Sequence, residues 1–135
     1  MPSPDPAPLP VDHIRVVIVD ADDRTRDSLA GLLSINERVR VVGCAGQPGA
    51  ALDIVTATRP DVVIMDPRLP DMDAGTALIS RLREAVPATR ILAMGLSGNA
   101  ERVGIDCGAD GSVRKTFRPS ELLAAVIAAG RRAGA

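Results

Sequence analysis

The chain has 135 residues, of which 46% are hydrophobic and 24% charged, with a formal net charge of -1. That length suits one domain burying roughly two-thirds of its unfolded surface, and the charge balance argues against a general nucleic-acid binder. No apolar run approaches the roughly 20 residues needed to span a bilayer, and the N-terminus lacks the basic and apolar regions of a signal peptide, so a cytoplasmic address is expected.

Residues 1–12 carry proline at positions 2, 4, 6, 8 and 10, which forbids a helix and predicts an extended, disordered tail. His13 has no partner in sequence and reads as a surface residue. Ile14–Val19 is a nearly continuous β-branched run, the pattern of a central strand covered on both faces. Asp22 or Asp23 is placed to cap a helix with Leu29, Leu32 and Leu33 on one face. Val39–Val42 makes a second strand. Pro48 suits the first turn of a helix that buries Ala51, Leu52 and Val55 and stops near Arg59-Pro60. Val62–Met65 is a third strand, and the helix after it carries Leu78, Leu82 and Ala85 on one stripe and ends before Pro87. Ile91–Met94 gives a fourth strand, with Val103 and Cys107 four apart on a short helix. A last strand surrounds Val113. Pro119 then opens a final helix with Leu122, Leu123, Val126 and Ile127, closing at Gly130. Five βα units therefore build one α/β domain with a parallel sheet over residues 13–130, followed by a short tail at 131–135.

Three of these strand runs deliver a single charged residue each: Asp20, Asp66 and Lys115. In a parallel sheet all three emerge at the carboxyl edge, where open α/β sheets place their ligands. Lys115 is the only lysine among 16 basic residues, and a compact ammonium suits a phosphoryl group as a point charge. Asp66 lies within PDVVIMDPRLPDMDAG, where proline and glycine punctuate an acidic loop just past a buried strand. A carboxylate so placed can act as a nucleophile toward phosphorus. Phosphoryl transfer is mostly positioning plus electrostatic stabilisation. Asp20 and Asp66 are placed to hold Mg²⁺, which takes one or two carboxylates plus waters, and Lys115 to neutralise the phosphoryl oxygens. Any one of these charges alone would read as a solvated loop residue; three at strand ends read as a site.

Other features carry less. Gly43-Cys44-Ala45-Gly46-Gln47-Pro48-Gly49 follows a strand and opens a helix, like a dinucleotide-binding turn. Its glycine spacing is wrong and it sits on the second strand, so an ordinary flexible loop is expected. Cys44 and Cys107 read as two small buried side chains in a reducing compartment. Phe117 is the only aromatic residue.

With IRVVIVD, PDVVIMDPRLPDMDAG, CGADG with the following VRK, and PSELLAAV, the chain resembles the receiver domain of bacterial two-component response regulators from Ile14 to Gly130. The resemblance implies a flavodoxin-like, doubly wound α/β fold. Its five-stranded parallel sheet would have the order 2-1-3-4-5, with helices on both faces. It implies that Asp66 accepts a phosphoryl group from a histidine kinase, that Lys115 contacts that group, and that Asp20, Asp66 and the backbone carbonyl of Arg68 hold Mg²⁺. The output it implies is contact with a downstream protein, with no nucleic acid or membrane bound by this chain alone and no enzymatic activity beyond its own phosphotransfer.

Four departures qualify these expectations. Ala21 replaces the second acid after strand one, so Mg²⁺ should bind weakly unless Asp22 or Asp23 bends in. Gly95 replaces the hydroxyl residue at the end of strand four, where Ser97 is the nearest substitute. Ser112 replaces the switch aromatic of strand five. The stretch between Gly95 and Lys115 is also about two residues shorter than is usual in such domains. A stand-alone phospho-accepting receiver is the leading expectation. The alternatives are the receiver portion of a helix-turn-helix transcription factor, for which RRAGA suits a linker start, and an unphosphorylated pseudo-receiver scaffold.

Overall fold

The computed structural model of the chain describes residues 13–95, 102, 108–114 and 118–133. Its strands are β1 (Ile14–Val19), β2 (Val39–Ala45), β3 (Val62–Met65), β4 (Arg90–Gly95) and β5 (Gly111–Arg114). Its longer helices are α1 (Asp23–Leu33), α2 (Pro48–Thr58), α3 (Met72–Ala85) and α4 (Pro119–Ala133). The strands form one sheet in the order β2-β1-β3-β4-β5, with every neighbouring pair parallel. That is the doubly wound α/β order which the resemblance implied.

The period-2 alternation of a strand explains both layers. Val17, Val19, Val63, Met65, Ile91 and Ala93 face one side, where Ala51 and Val55 of α2 and Leu78, Ile79 and Leu82 of α3 pack on them. Val16, Ile18, Val62, Ile64, Leu92 and Met94 face the other, against Leu29 and Leu33 of α1 and Leu122, Val126 and Ala129 of α4. The β-branched runs read as continuous because both faces are covered. Leu33 is 0% exposed, and cutting such a side chain back to alanine costs about 2–5 kcal/mol.

The ends of several elements differ from the sequence reading. β2 continues to Ala45, past the expected Val42. The glycine-rich stretch read as a flexible loop is thus strand through Ala45, with the extra residue of β2, Val42, taken up opposite the step from Val16 to Val17. Gly43 belongs there because a Cβ would stand 2.6 Å from Ile54 Cγ1 of α2. Gly130 does not end the last helix, which runs on to Ala133 through residues assigned to a tail. Glycine at that point is a packing choice, since a Cβ would meet Ile14 Cγ2 at 2.6 Å. Cys44 is exposed, not buried. Ala85 is likewise exposed, and the buried stripe of α3 is Gly75, Leu78, Ile79 and Leu82. His13 is exposed, as expected. Val103, Cys107, Ser97, Lys115, Phe117 and the stretch 1–12 lie outside the described residues.

Candidate functional site

Asp20 follows directly on β1 and Asp66 directly on β3. The two strands are neighbours in register, Val19 opposite Met65. The Asp66 amide donates to the Val19 carbonyl at 3.0 Å, and the Asp20 amide donates to the Ala45 carbonyl at 3.0 Å. Both carboxylates are therefore delivered to the carboxyl edge by the last rungs of the parallel ladder. Asp20 is only 2% exposed, whereas Asp66 is half-buried.

Each carboxylate is oriented by the backbone that follows it. The Asp22 amide donates to Asp20 Oδ1 at 2.9 Å, and the Arg68 amide donates to Asp66 Oδ1 at 2.9 Å. Both are Asx turns, in which an aspartate accepts from the amide two residues on. The loop beyond Asp66 is held from below. Leu69 is 0% exposed, in the same core as Leu78 and Ile79. Asp71 caps α3 by accepting from the Ala74 amide at 2.9 Å. Gly75 lets the first turn of α3 approach the loop, since a Cβ there would lie 1.5 Å from the Pro67 carbonyl oxygen. Only glycine fits.

The β1–α1 turn shows how the two acids that follow Ala21 are engaged. Asp22 is the N-cap of α1, its Oδ1 accepting from the Arg24 amide at 2.8 Å and the Thr25 amide at 3.4 Å. Asp23 forms an ion pair with Arg26 of the same helix turn. Arg26 Nη1 also donates to the backbone carbonyl of Asp20 at 2.6 Å. Both acids that stood as substitutes for the missing carboxylate are thus engaged within α1. Nothing in the sequence marks Arg26 out except its spacing of three from Asp23 in a first helical turn.

On the other side of β3, Gly95 ends β4, is buried, and lies opposite Arg114. Ser112 is exposed in β5. Lys115 follows Arg114 immediately in sequence and lies outside the described residues, so of the three charged strand ends the structure brings together Asp20 and Asp66. Among the described residues no group of three or more His, Cys, Asp or Glu side chains could hold a metal ion. Two carboxylates with backbone carbonyls nearby offer only hard oxygen donors. That set fits a largely hydrated Mg²⁺ and not an all-protein cage for Ca²⁺ or a nitrogen and sulfur site for Zn²⁺.

The chain is similar to known proteins over nearly all of this architecture. A family model of the response regulator receiver domain matches residues 16–127. The response regulator MprA of Mycolicibacterium vanbaalenii is 36% identical over 121 residues, which cover 88% of this chain and 51% of that protein. The DNA-binding transcriptional activator DevR/DosR of Mycobacterium tuberculosis is 38% identical over 122 residues, covering 87% of this chain and 56% of that one. This chain spans about half the length of these two relatives. Among solved structures, the signal receiver domain of the response regulator NarL from Mycobacterium tuberculosis superposes with a TM-score of 0.79 at 29% identity, covering 89% of this chain and 98% of that one. With the sheet order, the paired strand-end aspartates and the family match in agreement, the chain belongs to the response regulator receiver domain family of two-component signalling.

Proposed function

We propose that this receiver takes a phosphoryl group from a histidine kinase onto Asp66 and passes the signal on by protein contact. The observation that carries this reading is the placement of Asp20 and Asp66 at the ends of adjacent parallel strands, joined by the 3.0 Å bond from the Asp66 amide to the Val19 carbonyl. Receiver domains of this family are generally phospho-acceptors and not enzymes, bind Mg²⁺ at an acidic pocket, and work between kinases and downstream effectors. In this chain Asp20, Asp66 and the backbone carbonyl of Arg68 would hold the Mg²⁺, and Lys115 would contact the phosphoryl oxygens. The cation supplies neutralisation of the charge on the transferring group. Asp66, bracketed by the Arg68 amide, presents its carboxylate to phosphorus from a fixed turn. A cytoplasmic setting goes with this reading, and no described helix is long and apolar enough to cross a membrane.

The 38% identity to a DNA-binding activator favours a second form of the same reading, in which this chain is the receiving half of a transcription factor. The phosphoryl chemistry is the same in both.

Incubation with a small acyl phosphate and Mg²⁺, followed by mass spectrometry, tests the proposal. One acid-labile phosphate should appear on Asp66, vanish in Asp66→Asn, and depend on the metal. Phosphate on Asp71, Asp73 or a serine would overturn the site assignment. No phosphate from either the small donor or a kinase would leave the unphosphorylated scaffold as the correct reading.

A further inference from the structure

The guanidinium of Arg26 sits at the junction of three segments that frame the acidic site. It donates from Nη1 to the Asp20 backbone carbonyl at 2.6 Å and pairs through Nη2 with Asp23. It also fills a notch above Gly46, where a Cβ would come within 2.5 Å of Nη1. Its side chain is 20% exposed, that of Asp23 83%. Asp20 is thereby held on three sides: its amide by the Ala45 carbonyl at 3.0 Å, its Oδ1 by the Asp22 amide at 2.9 Å, and its carbonyl by Arg26. The first two bonds belong to the β ladder and to the turn itself. The third is the only one of these in which the partner is a side chain, and it is charge-assisted, the stronger class of hydrogen bond.

We infer that Arg26 is a positioning residue of the cation site, fixing the peptide that carries Asp20 so that its carboxylate meets the metal in one orientation. The inference rests on the reading of Asp20 as a Mg²⁺ ligand. It matters more here than in a site with two adjacent acids. With Ala21 beside it, Asp20 is the only carboxylate that β1 delivers, and Asp22 and Asp23 are engaged in α1. A site with one carboxylate from that turn has no neighbouring carboxylate there to compensate for a misplaced first one. Arg26 and Gly46 are a matched pair, because the guanidinium reaches the Asp20 carbonyl only across a residue without a side chain.

Charge and position predict opposite signs, which makes the test decisive. Removing a cation near the site would tighten Mg²⁺ binding if charge alone mattered. If position matters, Arg26→Gln should weaken it about tenfold, the worth of one hydrogen bond to a charged donor. Gly46→Ala changes no charge and displaces only the end of a flexible side chain, so it should reproduce the weaker binding on an intact fold. Arg26→Lys, which keeps a charged donor on a stem longer than that of glutamine, should restore most of the affinity.

The measurements are Mg²⁺ titration calorimetry and amide hydrogen exchange at Asp22 in the metal-free chain, with circular dichroism confirming the fold of each variant. Exchange at Asp22 should accelerate in both Arg26→Gln and Gly46→Ala. In phosphorylation from a small acyl phosphate, the half-saturating Mg²⁺ concentration should rise while the rate at saturating metal stays near that of the unmodified chain. Unchanged or tighter metal binding in Arg26→Gln, or unchanged binding in Gly46→Ala, overturns the inference while leaving Asp66 as acceptor. An unmodified chain that neither binds Mg²⁺ nor takes phosphate overturns the functional reading and this inference with it.

Discussion

At the amino edge of the sheet, Asp110 directs both carboxylate oxygens into the fold: Oδ2 accepts from the Ile91 amide at 2.8 Å and pairs with Arg83, while Oδ1 pairs with Arg90 at 3.2 Å. Arg83 continues the clasp to the carbonyls of Gly108 at 3.0 Å and Thr89 at 3.1 Å. Asp61, at the start of β3, accepts from the Arg15 amide at 2.8 Å, and Arg15 reaches on to the Thr58 carbonyl at 2.6 Å. At the carboxyl edge, Asp20 and Asp66 each turn Oδ1 to a local amide and belong to a turn that carries acids close together. Both edges use aspartates beside strands. The amino edge ties them to distant elements, Asp110 to two guanidinium groups and Asp61 to a strand amide, while the carboxyl edge carries Asp20 and Asp66 on local turns. In an α/β domain, stability and ligand chemistry can thus be assigned to opposite ends of the same strands.

Crossing the two edges by mutation gives the largest expected effect. Asp110→Ala removes an acceptor from two guanidinium groups and a strand amide, and should cost about 2 kcal/mol in denaturant unfolding at neutral pH. Its Mg²⁺ affinity should be unchanged. Asp20→Asn keeps the side chain's shape and an oxygen for the Asp22 amide, so it should leave stability within about 0.5 kcal/mol and lose most of the metal binding. The reverse pattern would dissolve the division between the edges.

Acid sharpens the same contrast. Partial burial by itself would raise the pKa of Asp110, but the Ile91 amide, then Arg83 and Arg90, more than offset it and hold the carboxyl below its ordinary value. The folded value being the lower one, this stabilisation is complete above the unfolded carboxylate pKa of about 3.9 and is lost as pH falls through the folded value. Unfolding curves taken from pH 5 downward should therefore steepen below about pH 4, and less so in Asp110→Asn. An identical acid profile in the two proteins would show that the clasp does not act through ionised Asp110.

The carboxyl edge was legible in the sequence because its acids follow recognisable β-branched runs. The amino edge was not. Asp61 and Asp110 stand immediately before β3 and β5, and their partners lie far off in sequence, the Arg15 amide by 46 residues and the Arg83 and Arg90 side chains by 27 and 20. No local pattern announces a pair whose members meet only after the sheet has formed. An acid just before a strand in two βα units was the available hint. Glycine misled twice, at Gly43 and Gly130, where it admits a neighbouring isoleucine and does not end an element. The layers were readable because alternation within a strand and spacing of three or four within a helix both follow from backbone geometry alone.

A smaller effect is expected from restoring charge at Ala21. Ala21→Asp places a second carboxylate beside Asp20 and should tighten Mg²⁺ about tenfold, or roughly 1.4 kcal/mol. The engagement of Asp22 as helix cap and of Asp23 with Arg26 is the reason to expect a gain. Calorimetry on both proteins decides. Equal affinities would mean that one of those acids leaves its partner when the metal arrives.

The smallest effect is expected where signalling would ordinarily emerge. Gly95 offers no hydroxyl at the end of β4, and Ser112 stands exposed in β5 where receiver domains usually carry an aromatic. A modification shifts an equilibrium only as far as it interacts differently with the two states. A phosphoryl group on Asp66 would find neither a hydroxyl at Gly95 to draw inward nor an aromatic at Ser112 to follow it. Addition of a beryllium fluoride mimic with Mg²⁺ should accordingly move the backbone amide resonances of the Asp20 and Asp66 turns and leave Ser112 and Leu122 almost in place. The two turns share the last rungs of β1 and β3, whereas Leu122 meets the sheet through buried apolar side chains. Large shifts at Ser112 and Leu122 would show that the two halves of the carboxyl edge are coupled by another relay, with Ser97 and Phe117 the first positions to substitute.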